Sequence, residues 1–251
     1  MTTSGLTTFN LDLNDMVEEA FERAGSELRT GYDLRTARRS LNLLFADWAN
    51  RGVNMWTFEQ NTITLVQGQP TYALPDDTVD LLDHVIRTNA NVPTNQADLT
   101  ITRISMPTYA TIPNKLIQGR PIQVWVNRQS GAKYPVGGQP EGTDPATGID
   151  YPQITIWPTP NDPGSQYTFV YWRLRRIQDA GQGGVTTQDI PFRFIPCLVA
   201  GMSYYLSMKY PDTMARTAEL KLAYEEQWKY ASEEDRDKSA IRFVPRRMFI
   251  A

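Results

Sequence analysis

At 251 residues and a formal net charge of −3, the chain is long enough to enclose a sizeable core in one large domain or two small ones. The acidic balance argues against a protein that coats nucleic acid electrostatically, and no apolar run approaches the ~18 residues of a bilayer span. The single cysteine, Cys197, can make no internal disulfide, so the fold is expected not to need an oxidising compartment. The opening MTTSGLTTFN lacks the basic start and apolar centre of a signal peptide, and a soluble, cytoplasmically made protein is expected.

Residues 12–52 carry a helical period. Leu13, Val17, Ala20 or Phe21, Ala24 and Leu28 form one stripe, with a stop near Arg23, Ala24 and Gly25. After Gly31 a second stripe holds Leu34, Ala37, Leu41, Leu44 or Phe45, and Trp48, with Asp33 placed to cap its start and Gly52 to end it. Across residues 58–178 the period falls to two. Ile63 and Leu65 alternate, the chain breaks at Gly68, Gln69 and Pro70, and Tyr72 and Leu74 resume before Pro75, which reads as a strand pair around a turn. Further alternating runs are Leu99 and Ile101; Ile122, Val124 and Val126; Ile154 and Ile156; and Tyr167, Phe169 and Tyr171. Helical spacing returns over 190–232. Ile195, Leu198, Val199, Met202, Tyr205 and Leu206 make one element that Pro211 is expected to end; Leu220, Tyr224, Trp228 and Ala231 make the last. No repeat of 20–50 residues is visible. This order predicts an α+β fold: a helical bundle built from the N- and C-terminal segments, 12–57 and 190–235, with an inserted antiparallel β-sandwich or barrel, 58–189, and an extended C-terminal arm, 236–251.

The residues that could carry chemistry are few. His84 is the only histidine; it could be a general base paired with Asp80 or Asp83, but a strand or loop histidine near a solvated face is the favoured reading. There is no G-x-S-x-G elbow, and one histidine with one cysteine cannot make a zinc set. Asp76 and Asp77, and Glu233, Glu234 and Asp235, read as solvated turn or helix-end charges. Gly137 and Gly138, and the run from Gly181 to Gly184, lack the Lys-Ser/Thr of a phosphate loop. Expected catalytic residues, metal ligands and cofactors are therefore none, and the chain is expected not to be an enzyme. The aromatics Trp125, Tyr134, Tyr151, Trp157, Tyr171 and Trp172 could form a platform for carbohydrate or single-stranded nucleic acid. Subunit contact is the favoured reading, since Tyr and Trp are enriched where protein surfaces meet.

Several pieces stand in a distinctive order: the helix around Leu41, Asn42, Leu43, Leu44 and Trp48, the exit from Gly52 to Trp56, and LVQGQPTYALP from Leu65 to Pro75. A proline-flanked strand from Pro152 to Pro158 and a helical block opening at Ile190 and Pro191 complete the set. The ordered set resembles the head-to-tail adaptor proteins of short-tailed bacteriophages, also called tail tubular protein A or packaged-DNA stabilisation proteins, from about Asp12 to about Ser232. The stretch 89–148 and the tail after Asp237 match least.

The resemblance implies a structural virion protein in the neck between head and tail, made in the host cytoplasm. Its copies would form a ring, twelvefold by the resemblance, below the portal protein, bind the tail nozzle protein, and pass double-stranded DNA without sequence-specific binding or membrane contact. The alternatives are a β-sandwich ligand-binding module of a phage tail and, less favoured, a cell-wall hydrolase. The C-terminal SAIRFVPRRMFIA, 239–251, holds three arginines, no acid and many apolar groups. It is read as an extended segment that orders on the portal, using Arg242, Phe243, Val244, Pro245, Arg246, Arg247 and Phe249.

Overall fold

The computed structural model describes residues 3–6, 9–28, 31–52, 55–90, 92, 94–128, 152–162, 166–181 and 186–236. In chain order, α1 (Leu13–Ala24) and α2 (Gly31–Arg51) precede β1 (Phe58–Thr64), β2 (Thr71–Ala73), β3 (Thr78–Thr88), β4 (Ala97–Thr100) and β5 (Thr102–Ile104). The short α3 (Met106–Ala110) follows, then β6 (Gln118–Gly119), β7 (Gln123–Asn127), β8 (Gln153–Trp157), β9 (Thr159–Pro160) and β10 (Thr168–Arg175). Helices α4 (Ile195–Ser207) and α5 (Thr217–Glu234) complete the described chain. The fold is α+β. The chain divides into a helical unit, 1–56 with 177–251, and a strand unit, 57–176.

In the helical unit, Asp12 caps α1 by accepting the amide of Asp15 at 2.9 Å, and Gly25 closes it at φ +88°. Helix α2 starts at Gly31, so Asp33 lies in its first turn rather than at the cap and accepts the Tyr210 hydroxyl at 2.9 Å. Leu13, Met16, Val17, Ala20 and Phe21 of α1 join Ala37, Leu41, Leu44, Phe45 and Trp48 of α2 in one core with Cys197, Leu198, Val199 and Met202 of α4 and Tyr224 of α5. N- and C-terminal segments thus build one bundle. Helix α4 is buried on most of its surface, which is why its sequence is apolar nearly all round. Gly201 permits the close approach: a Cβ there would stand 2.9 Å from Leu44 and 3.0 Å from Tyr224. The segment after β10, placed with the strands by its composition, instead gives Ile177 and Ala180 to this core.

The core centres on Trp48. Its ring meets Phe45, Phe194 and Trp228 at centroid distances of 6.0, 5.5 and 5.4 Å. The indole N–H donates to the Tyr224 hydroxyl at 3.0 Å, which donates to Asp47 at 3.1 Å. Arg51 then spans Asp47 at 2.8 Å and both oxygens of Glu225 at 2.8 and 2.9 Å.

In the strand unit, one sheet has the order β1-β10-β3-β4 and another β2-β8-β7-β5, with β6 and β9 forming a small third ladder. Among the described residues no sheet closes into a barrel, and the two larger sheets share a core of Leu65, Tyr72, Leu74, Leu81, Ile86, Val124, Ile154, Ile156, Phe169 and Tyr171. The expected strand pair around Gly68 is not a pair. β1 lies against β10 and β2 against β8, so LVQGQPTYALP carries the chain between sheets. Tyr72 fixes that link, its hydroxyl accepting the Val66 amide at 2.8 Å and donating to the Val66 carbonyl at 3.2 Å. Pairing is also not wholly antiparallel: β5 runs parallel to β7, because the intervening chain crosses over through α3.

Leu41→Ala and Trp48→Ala should each lower unfolding stability by roughly 2–5 kcal/mol, since both side chains are fully buried. Chemical denaturation checks this; a loss below about 1 kcal/mol at either position contradicts a shared core.

Candidate functional site

His84 lies on β3 and is 9% exposed, so it is buried rather than near a solvated face. Its ring stacks on Phe169 at 5.9 Å, and among the described residues neither ring nitrogen meets a partner in hydrogen-bond geometry. Burial holds its pKa below 6.5; Asp83 opposes that shift and Arg103 reinforces it. The two candidate carboxylates are engaged elsewhere: Asp83 accepts the His84 backbone amide at 2.8 Å, and Asp80 pairs with Arg103 at 2.8 Å and Arg128 at 3.2 Å. A hydrogen-bonded acid–base pair is not assembled there.

Asp76, Glu233 and Glu234 stand exposed, as expected of solvated charges, but Asp77 and Asp235 do not behave that way. Asp77 pairs with Arg173, a guanidinium only 5% exposed that also engages Glu59 at 2.9 Å and the Thr78 hydroxyl at 2.9 Å. Asp235, also buried, pairs with Arg193 and accepts the Met55 amide at 3.0 Å. Both acids hold structure together. Burial pushes the Cys197 thiol up to about 12, well away from a reactive thiolate. Among the described residues no cluster of His, Cys, Asp and Glu is arranged to hold a metal.

The aromatic residues do not converge into one platform. Tyr171 is buried in the core; Trp172 belongs to the first sheet. Trp125 and Trp157 share a face of the second sheet, where Trp125 stacks on Tyr109 at 5.2 Å and Trp157 donates to the Asn114 carbonyl at 3.0 Å. Tyr134 and Tyr151 lie outside the described residues, as do Gly137, Gly138, Gly183 and Gly184. So do all the expected portal-binding residues: Arg242, Phe243, Val244, Pro245, Arg246, Arg247 and Phe249.

Two charged surfaces on the helical unit were not singled out from the sequence. On α1, Asp15, Glu18 and Glu22 stand exposed on the side opposite the buried stripe, and no ion pair is seen for them among the described residues. On α2, Arg35 and Arg39 stand exposed one turn apart and line a cleft of about 380 Å³ with Tyr32 and Thr36. The buried Thr36 hydroxyl has no hydrogen-bond partner among the described residues. Lys209 donates to Ser40 at 2.5 Å, and burial together with the charge of Arg39 holds its pKa below 10.5. The legible signal was like charge at four-residue spacing, Arg35 with Arg39 and Glu18 with Glu22.

The described residues thus form a helical bundle interrupted by a sandwich-like strand unit, with ion-paired acids and exposed charged faces. Among the described residues no helix is long and apolar enough to cross a membrane. The profile of the family described as SU10 adaptor protein matches residues 11–247, and the chain belongs to that phage adaptor family. No curated protein matches the sequence. Family membership makes the chain a virion adaptor component that contacts other virion parts such as portal and tail, and it points to a structural rather than a catalytic role.

The buried His84 also predicts a pH dependence. Because its folded pKa is depressed, the unfolded chain takes up a proton at a higher pH than the folded one. The contribution is full above pH 6.5 and is lost as pH falls from there through the folded pKa. His84→Phe should remove this component, so its denaturation midpoint should fall less than that of the wild type between pH 7.5 and 5. Equal falls in both proteins contradict the assignment.

Proposed function

We propose that this chain is a head-to-tail adaptor whose copies form a closed ring below the portal. The ring closes the filled head, connects the tail nozzle and conducts DNA at ejection. The observation that carries the reading is the family match over nearly the whole chain, residues 11–247. A head-to-tail contact repeated around an axis closes into a ring. Double-stranded DNA is held by surfaces whose Lys and Arg release its counterions. The net charge of −3 is in keeping with a conduit that DNA passes without sticking. The work is mechanical and electrostatic, without intrinsic turnover.

The C-terminal arm is the proposed portal contact. Its apolar groups are poor material for a solvated tail, and Pro245 interrupts any helix in so short a segment. In this contact Phe243 and Phe249 act as anchors beside Val244 and Pro245, and Arg242, Arg246 and Arg247 meet acidic portal side chains.

Negative-stain imaging of the protein mixed with its portal should show a ring seated below the portal; separate particles at saturating protein overturn the adaptor ring. Deleting residues 240–251 should leave a folded, soluble protein that no longer joins DNA-filled heads, which then leak their genome. A truncated chain that loads onto portals with wild-type affinity overturns the arm assignment.

A further inference from the structure

Arg35 and Arg39 lie four positions apart on α2, and Glu18 and Glu22 lie four positions apart on α1. Both intervals correspond to about 6 Å along a helix axis, so the two rows match in length as well as in sign. Each row stands on the side of its helix opposite the buried stripe, pointing away from the bundle core. Neither row is neutralised within the chain among the described residues. By contrast, nearby Arg23 pairs with Glu19 at 2.7 Å and Arg51 pairs with Asp47 at 2.8 Å. Arg35 and Arg39 also flank a cleft rather than a flat surface, with the Tyr32 ring on its wall and the unpartnered Thr36 hydroxyl beneath. Lys209 donates to the buried Ser40 one position along the helix from Arg39.

From this charge complementarity we infer that the cleft of Tyr32, Arg35, Thr36 and Arg39 receives the acidic face of α1, through Glu18 and Glu22, from a second copy of this chain. The inference rests on the ring reading and supplies its contact: a basic face on one copy meets an acidic face on the next. These are different patches, so the contact is heterologous and repeats around the ring. An opposing carboxylate pair relieves the like charges of Arg35 and Arg39, and the acids set the register between copies. A second copy fits better than DNA phosphate, because the overall charge of the chain is negative and the matched partner row is already on its surface.

The test uses full-length protein, free and mixed with its portal, with assembly measured by analytical ultracentrifugation and imaging at low salt. Arg35→Glu with Arg39→Glu should weaken copy-to-copy association at least about tenfold, since like charges then face each other. Glu18→Arg with Glu22→Arg should do the same. An equimolar mixture of the two variants should restore association, because each offers the other the sign it lacks on both faces. Circular dichroism melts of the variants should match the wild type, as all four side chains are exposed. If the wild type assembles and the arginine variant assembles equally well, the contact is overturned while the ring stands. If the mixture does not recover, the pairing of these two faces is overturned. If the arginine variant keeps assembly but loses binding to labelled duplex DNA, the cleft reads phosphate and the proposal is overturned. A wild type that assembles neither alone nor on the portal overturns the ring and this contact together.

Discussion

A buried indole must give its N–H to an acceptor, and in this protein the acceptor for Trp48 is Tyr224, 176 positions away. That requirement organises the helical unit. The Tyr224 hydroxyl is itself buried and passes its proton toward Asp47, whose carboxylate is steadied by Arg51, which grips Glu225 on the far helix. Each polar group is satisfied only if α2 and α5 lie side by side in one register. Around this chain of bonds the apolar stripes of α1 and α2 close on α4, whose own sequence leaves it no polar face to turn outward. A tryptophan with no acceptor would cost stability, and a tyrosine with no carboxylate would do the same, so the network selects one packing among several apolar ones.

Among the described residues, the strand unit also holds a buried charged centre. Arg173 of β10 sits almost wholly out of solvent between Glu59 at the start of β1 and Asp77 just before β3. These are neighbouring strands, so the guanidinium ties together the end of the sheet at which the chain enters and leaves the unit. The register of β10 against β3 shifts twice close to this point. Leu82 and Val79 are the residues passed over, and both are exposed. The bulges let the strand follow its neighbour while bringing acid, arginine and threonine into one cluster.

Much of the helical unit was legible because an amphipathic helix advertises its inner face. The stripes through Leu13, Val17 and Phe21, and through Ala37, Leu41 and Trp48, are the buried ones. The strand unit was harder for reasons that are physical. Alternation in residues 78–88 is broken by the two bulges, and LVQGQPTYALP has the form of a hairpin while joining two sheets, a difference decided by the partners β8 and β10 far along the chain. The parallel pairing of β5 with β7 depends on a crossover no local pattern announces. Asp77 and Asp235 looked like surface charge because the sequence does not show Arg173 and Arg193 beside them. The two charged faces were visible as like-sign pairs, but only the burial of the remaining helix surface identifies them as unneutralised and outward.

The entry strand β1 pairs with the exit strand β10 along its whole length, Phe58 opposite Leu174 through to Thr64 opposite Thr168. Adjacent strands lie about 4.8 Å apart, so the strand unit starts and finishes at nearly the same point. A nascent chain therefore meets an order of events fixed by topology. Helices α1 and α2 leave the ribosome with their apolar faces bare and wait through some 120 residues of strand unit, 57–176, before α4 and α5 arrive to cover them. Among the described residues, the strand unit completes its three sheets without that later segment. Synthesis thus passes through a stage in which α4 and α5 decide the fate of α1 and α2, and a chain halted between residues 176 and 195 holds all the described strands but only the first half of the bundle.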